Sequence, residues 1–362
     1  MKKNYLLIAA AAAMFAACSS NDTFKEIDVQ ETPIAFDQAL NKVTRAHISN
    51  KAALASEGGF VVYGYKTTDS WTNSSTVFNA INVNSSDNGS TWAYSGLRFW
   101  DKNATYNFFA VAPYAPSYGV TYAISNATNG YFTITNVKSG KAAYSDDFLI
   151  DFDGNKGVLG SAHTSASNPA VGFEFHHIMA KVTFSLKSSL SSGTIVVNEL
   201  KMSGYNSNVG TYTQANATTP TVRPQTIETS GWSQTAGTAG EVYLIHADST
   251  LTSVSVPCGG TTIKPLISET NGTNEWCIMV PQTIAANGLT FTVTYTYTGT
   301  DSYTETFTNQ TATLTDAQTW GTDSYTNYTI DINPVAITFN VTSICNFDVP
   351  GGTDGVIEQD VQ

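Results

Sequence analysis

The stretch VAITFNVTSICNFDV, Val335 to Val349, alternates apolar and polar residues with a period of two. Val335, Ile337, Phe339, Val341, Cys345, Phe347 and Val349 fall on one side, interrupted only by Ser343. Ala336, Thr338, Asn340, Thr342, Ile344, Asn346 and Asp348 fall on the other, polar but for Ala336 and Ile344. Successive side chains of a strand point to opposite faces, so the pattern predicts a strand with one buried face. Fully extended it would reach roughly 50 Å at about 3.3 Å per residue, where an ordinary strand has about 5–6 residues. Such a strand either bends across its own domain or reaches beyond it. Burying its apolar side would contribute on the order of 10–20 kcal/mol as an upper bound. That is enough to hold two molecules together if the groove belongs to a neighbour.

The same grammar runs through the rest of the chain. FVVYGY (Phe60–Tyr65), YNFFAVAPY (Tyr106–Tyr114), YFTIT (Tyr131–Thr135), FLIDF (Phe148–Phe152) and VGFEFHHIMAKVTFSL (Val171–Leu186) are rich in β-branched and aromatic residues. TIVVNEL (Thr194–Leu200), VYLIH (Val242–His246), WCIMV (Trp276–Val280) and LTFTVTYTY (Leu289–Tyr297) continue the series. Clusters of Gly, Asn, Ser, Asp and Pro separate these runs, which is the pattern of β-sandwiches and barrels. Only Asp37–Leu54 leaves room for a turn or two of helix. The expectation is an all-β chain. Linker-like composition at Gly160–Pro169 and Asn206–Pro224 places a domain boundary near Pro169. Two sandwiches follow, over residues 46–168 and 169–362, the second ending in the tail 335–349.

Composition narrows the function classes. The 362 residues are 41% hydrophobic and 13% charged, which excludes a disordered chain. The net charge is −12, and beyond Lys201 the only basic side chains are Arg223 and Lys264. A surface this acidic repels phosphate backbones, so no nucleic-acid partner is expected.

The N-terminus predicts export. Lys2 and Lys3 precede an apolar run from Tyr5 to Ala17, the layout of a secretory signal peptide over residues 1–17. The run falls short of the ~20 residues needed to cross a bilayer. Ala16-Ala17 before Cys18 resembles a bacterial lipobox, with Phe15 where Leu is usual, and makes Cys18 the expected lipidation site. The alternative is an ordinary signal peptide followed by an incidental cysteine. No other stretch is apolar enough to anchor the chain, so lipid on Cys18 would be its only tie to the outer membrane. Export also permits disulfides, and Cys258 with Cys277 is the plausible pair because both lie in the same half.

Catalytic and metal-binding patterns are weak, and no enzyme activity or cofactor is expected. His176 and His177 are strand neighbours, so they point to opposite faces and cannot share a site. Asp151, Asp153 and Asn155 copy the first ligand positions of a calcium loop, but Lys156 and Ala162 stand where Gly and Glu are needed. Asp146 and Asp147 adjoin each other, and nothing pairs Glu174 or Glu199 across a cleft for glycoside hydrolysis. Trp71, Trp92 and Trp232 could stack on sugars, which keeps a surface glycan-binding lipoprotein as the alternative function. Near the front, Ile34-Ala35-Phe36 offers a short strand, and Arg45-Ala46 is an accessible cut for a trypsin-like protease.

Several of these stretches together resemble the fimbrillin family, bacterial lipoproteins that mature into subunits of surface fimbriae. The resemblance rests on the lipobox at Cys18, IAFDQALNKVTRA (Ile34–Ala46) and LRFWDKNATYNFFAVAPY (Leu97–Tyr114). FEFHHIMAKVTFSL (Phe173–Leu186) and Trp320-Gly321 followed by YTNYTIDI (Tyr325–Ile332) add to it. One departure is Ile344-Cys345-Asn346, where such chains often place a Trp. The resemblance implies two tandem transthyretin-like β-sandwich domains and a lipidated prosegment, here residues 18–45. It implies cleavage between Arg45 and Ala46 by a trypsin-like surface protease, removing a strand that contains Ile34 and Phe36. It further implies that the emptied groove accepts the Val335–Val349 ladder of another fimbrial subunit, building a cell-surface filament that contributes to adhesion. Asp248-Ser249-Thr250 resembles a bacterial O-glycosylation signal.

Overall fold

The computed structural model describes residues 32–40, 48, 50–114, 116, 120–126, 131–141, 146–151, 155–214, 231–235, 240–259, 262–268, 273–333, 337–344 and 357–361. Thr32–Gln362 is one compact unit. Nearly every regular element in it is a strand. The longest α-helix among the described residues, Lys51–Ser56, falls where the sequence left room for one, and Asn50 caps it through Oδ1, which accepts from the Ala53 N–H at 2.9 Å.

The first sheet has the order Phe36–Leu40, Val171–His177, Leu149–Ile150, Thr105–Ala112, Phe60–Thr67, Ser75–Asn84, Ala93–Tyr94. Its inward residues form an aromatic core that includes Phe60, Phe78, Tyr106, Phe108, Phe173 and Phe175. Gly64 is required here. A Cβ on it would lie 2.8 Å from the Phe78 ring and 3.0 Å from Phe108.

Two further sheets face each other over the C-terminal core. One runs Ile357–Val361, Ile337–Ile344, Tyr325–Ile332, Ala180–Lys187, Cys277–Met279, Gly140–Lys141. The other runs Gly240–Ile245, Thr194–Tyr205, Thr290–Thr298, Thr304–Thr313. Phe184 and Tyr328 of the first meet Phe291 of the second at ring distances of 6.1 and 5.4 Å, so the core is a sandwich filling. A smaller sheet, Trp232–Gln234, Val209–Gln214, Tyr131–Lys138, Thr121–Asn126, joins strands from both halves of the sequence.

Pairing, rather than composition, shows where the chain changes core. Val171–His177 follows Pro169 yet pairs with Phe36–Leu40 and Leu149–Ile150 in the first sheet. The passage to the C-terminal core comes between His177 and Ala180, through Ile178 and Met179, which are fully buried in a third cluster with Trp276 and Tyr212.

Candidate functional site

The segment Thr32–Leu40 fills a slot at the edge of the first sheet and is held on two sides. On one side Ile34 N–H donates to the Arg98 carbonyl at 2.8 Å and Trp100 N–H donates to the Thr32 carbonyl at 2.9 Å. Pro33 stands opposite Phe99 in this antiparallel bridge, where its missing N–H costs nothing. On the other side Val171 N–H donates to the Ala35 carbonyl at 2.8 Å, and Phe36–Leu40 runs parallel to Val171–Phe175. The Tyr94 hydroxyl donates to the Ile34 carbonyl, and Asn168 Nδ2 to that of Pro33, both at 2.8 Å.

Alternation decides what the slot receives. Thr32, Ile34, Phe36 and Gln38 point inward and are buried, while Pro33 and Asp37 are exposed. The Phe36 ring enters an aromatic box, 5.1 Å from Phe78, 5.5 Å from Tyr94, 5.7 Å from Phe108 and 5.6 Å from Phe173. Full burial of Ile34 and Phe36 contributes about 1.5–3 kcal/mol each, and the ring pairs add to it. The other two inward positions work against the segment. Thr32 Oγ1 and both amide atoms of Gln38 are buried with no hydrogen-bond partner. Each such group costs about 1–3 kcal/mol. The segment is therefore well anchored at two positions and poorly matched at two.

The walls are braced from outside. Asn168 Oδ1 accepts from Trp100 Nε1 at 3.1 Å and lies 3.1 Å from His163 Nδ1, so that nitrogen carries the proton. The His163 ring stacks on Trp100 at 3.7 Å and 11°. Downstream the chain is pinned at Ile48, which is buried and whose N–H donates to Asp147 Oδ2 at 3.3 Å. The other carboxylate oxygen of Asp147 meets His177 Nδ1 at 2.8 Å, both side chains fully enclosed.

Ile34 and Phe36 thus sit together in the slot. Cys18, Arg45, Ala46, Val335, Cys345, Phe347 and Val349 lie outside the described residues. Ile337, Phe339 and Val341 belong to the strand Ile337–Ile344, which pairs antiparallel with Tyr325–Ile332 and with Ile357–Val361. Within one chain the slot and this strand are on different sheets.

The Cys258–Cys277 pairing is corrected: both are free thiols. Cys277 is enclosed in a strand of one C-terminal sheet, while Cys258 follows Val254–Pro257 of the opposing sheet, so shared location in the sequence does not bring them together. Burial pushes the Cys277 thiol well up, away from thiolate chemistry. His177 is buried and His176 half-buried, 3.8 Å from Glu174, as strand neighbours must divide. Asp151 is buried, Asp153 lies outside the described residues, and no group of three or more His, Cys, Asp or Glu among the described residues could hold a metal. Trp92 packs 5.0 Å from Phe60, and Trp232 donates to the Ile178 carbonyl at 3.0 Å beside Tyr212. Both are half-buried, with one side packed against a core. No described helix is long and apolar enough to cross a membrane.

The chain is thus an all-β molecule whose N-terminal strand, Phe36–Leu40, forms the edge of its first sheet. The chain belongs to the fimbrillin-like family, whose profile matches residues 44–344, a fimbrial and cell adhesion family. Among solved structures it is similar to a fimbrial protein from Bacteroides vulgatus, at 19% identity and TM-score 0.57 over 86% of this chain and 98% of that one. That likeness shows the fold. The tip fimbrial protein Mfa3 from Porphyromonas gingivalis, with a C-terminal truncation, matches at 10% identity and TM-score 0.31 over 83% and 97%. No significant match occurs among curated proteins.

Proposed function

We propose that the chain is a structural subunit of a cell-surface fimbria that polymerises by protease-triggered strand exchange. It travels to the outer membrane as a lipoprotein on Cys18, and a trypsin-like protease cuts between Arg45 and Ala46. The strand carrying Ile34 and Phe36 then leaves the slot, and the tail of another fimbrial subunit takes its place. One observation carries this reading: the strand that completes the aromatic core of the first sheet lies upstream of Arg45, so one cut separates it from the body. Loss of that strand exposes the aromatic box and two rows of backbone groups, which only another strand satisfies. Ile48, held by Asp147, anchors the front of the mature chain after the cut. A head-to-tail contact of this kind does not close, so it extends a filament. The tail must first leave its pairing with Tyr325–Ile332, which sets a barrier to assembly.

The experiment is limited tryptic digestion of the full chain, followed by N-terminal sequencing and electrophoresis in mild detergent. Cleavage at Arg45 with a ladder of detergent-resistant oligomers is expected, and Arg45→Ala abolishes both. Monomers after complete cleavage at Arg45 contradict the reading.

A further inference from the structure

We propose that residues 335–341 of a second copy occupy the slot residue for residue in place of residues 32–38, in the same direction. This rests on the strand-exchange reading above and adds its register and its driving force. Thr32-Pro-Ile-Ala-Phe-Asp-Gln38 and Val335-Ala-Ile-Thr-Phe-Asn-Val341 share the frame Ile-x-Phe. Ile34 corresponds to Ile337, and Phe36, whose ring fills the aromatic box, corresponds to Phe339. The two inward positions that differ are the two that are badly matched. Thr32 and Gln38, buried with unpartnered polar atoms, correspond to Val335 and Val341. Valine matches threonine in size and is smaller than glutamine, so it removes the unpaired groups at the cost of some packing at the Gln38 position. The intervening positions differ too: Pro33, Ala35 and Asp37 correspond to Ala336, Thr338 and Asn340. Asp37 becomes Asn340, which gives up an exposed ion pair to Lys51 at 3.2 Å, a small loss beside two buried amide atoms and a hydroxyl.

The segment in the slot is thus a placeholder: apolar enough at Ile34 and Phe36 to protect the core, polar enough at Thr32 and Gln38 to be replaced. No other register aligns Ile and Phe with the same pockets while turning both mismatched positions into valine.

The test uses the full chain cleaved by trypsin, with a fluorescent synthetic peptide of residues 334–344 in excess. Anisotropy reports entry of the peptide, and mass spectrometry reports release of the segment that contains residues 32–40. The peptide is expected to displace the segment, and Val341→Gln or Val335→Thr in the peptide to weaken it by roughly tenfold each. Because these changes are in the peptide, they leave the folding of the protein untouched. Reciprocally, Thr32→Val with Gln38→Val in the chain is expected to slow displacement and raise the melting temperature of the uncleaved protein. A peptide that enters with no sensitivity to Val335 and Val341 overturns the register and leaves strand exchange standing. A peptide that does not enter while the cleaved segment stays bound overturns both.

Discussion

At the scale of single residues, the slot stands or falls on Phe36, because four rings converge on it. Phe36→Ala should destabilise the uncleaved protein by about 3–5 kcal/mol, measured by urea unfolding. Asp87 provides a pH signature in the loop between Ser75–Asn84 and Ala93–Tyr94. Hydrogen bonds from the Ser85 and Thr91 hydroxyls and the Thr91 N–H hold its carboxyl down at about 2, below the usual carboxylate range. A depressed folded value means that the stabilisation is present above the unfolded value and is lost as pH falls through about 2. The stability difference between wild type and Asp87→Asn should therefore shrink between pH 4 and 2, followed by thermal melts. Among the thiols, Cys277 should resist iodoacetamide in the native protein while half-buried Cys258 is alkylated, read by peptide mapping. Inward positions such as Ile34 and Phe36 are legible from alternation alone. The unpaired burial of Gln38 is not, because alternation puts it on the inward side without showing that its amide finds no partner there.

Elements show a sharper contrast. The runs of β-branched and aromatic residues are strands where the sequence places them, since a strand's pattern is local. Long-range bracing left no such trace. Arg98–Trp100, which forms one wall of the slot, carries no period, and Asn168 and His163 lie in a stretch whose Ser, Asn and Pro content reads as a linker. The tail illustrates a different limit. Its alternation suits a hairpin with Tyr325–Ile332 and a strand given to a neighbour equally well, because alternation specifies two faces and not the partner. Release of that hairpin can be controlled. Asn327 and Thr342 face each other in register, so Asn327→Cys with Thr342→Cys on a Cys258→Ser background, oxidised, should hold the tail in place. Oligomers should then be lost after tryptic cleavage and restored by a reductant. Unimpaired assembly of the oxidised form would mean that the tail is not the donated strand.

At the scale of the whole molecule, the all-β class and the fimbrillin-like family were both readable from sequence, because composition, strand spacing and dispersed motifs agree over most of the chain. The interleaving of the halves was not. Tyr131–Lys138 pairs with Val209–Gln214, and Val171–His177 returns to the first sheet, and both are pairings between distant segments. In the proposed exchange the first strand is the one removed, and Ile337–Ile344 carries the same Ile-x-Phe frame. Cross-linking between copies tests this most directly. Gly172 stands opposite Asp37, and nothing lies within 4 Å of a Cβ built on it, so Gly172→Cys is tolerated. With Asp37→Cys in the same chain it should close an internal cross-link before cleavage. One copy carrying Gly172→Cys, mixed after tryptic cleavage with a second carrying Asn340→Cys, should give a covalent pair under oxidation, and none without cleavage. If cleaved copies formed filaments yet this pair never appeared, the slot would not be where neighbouring subunits join.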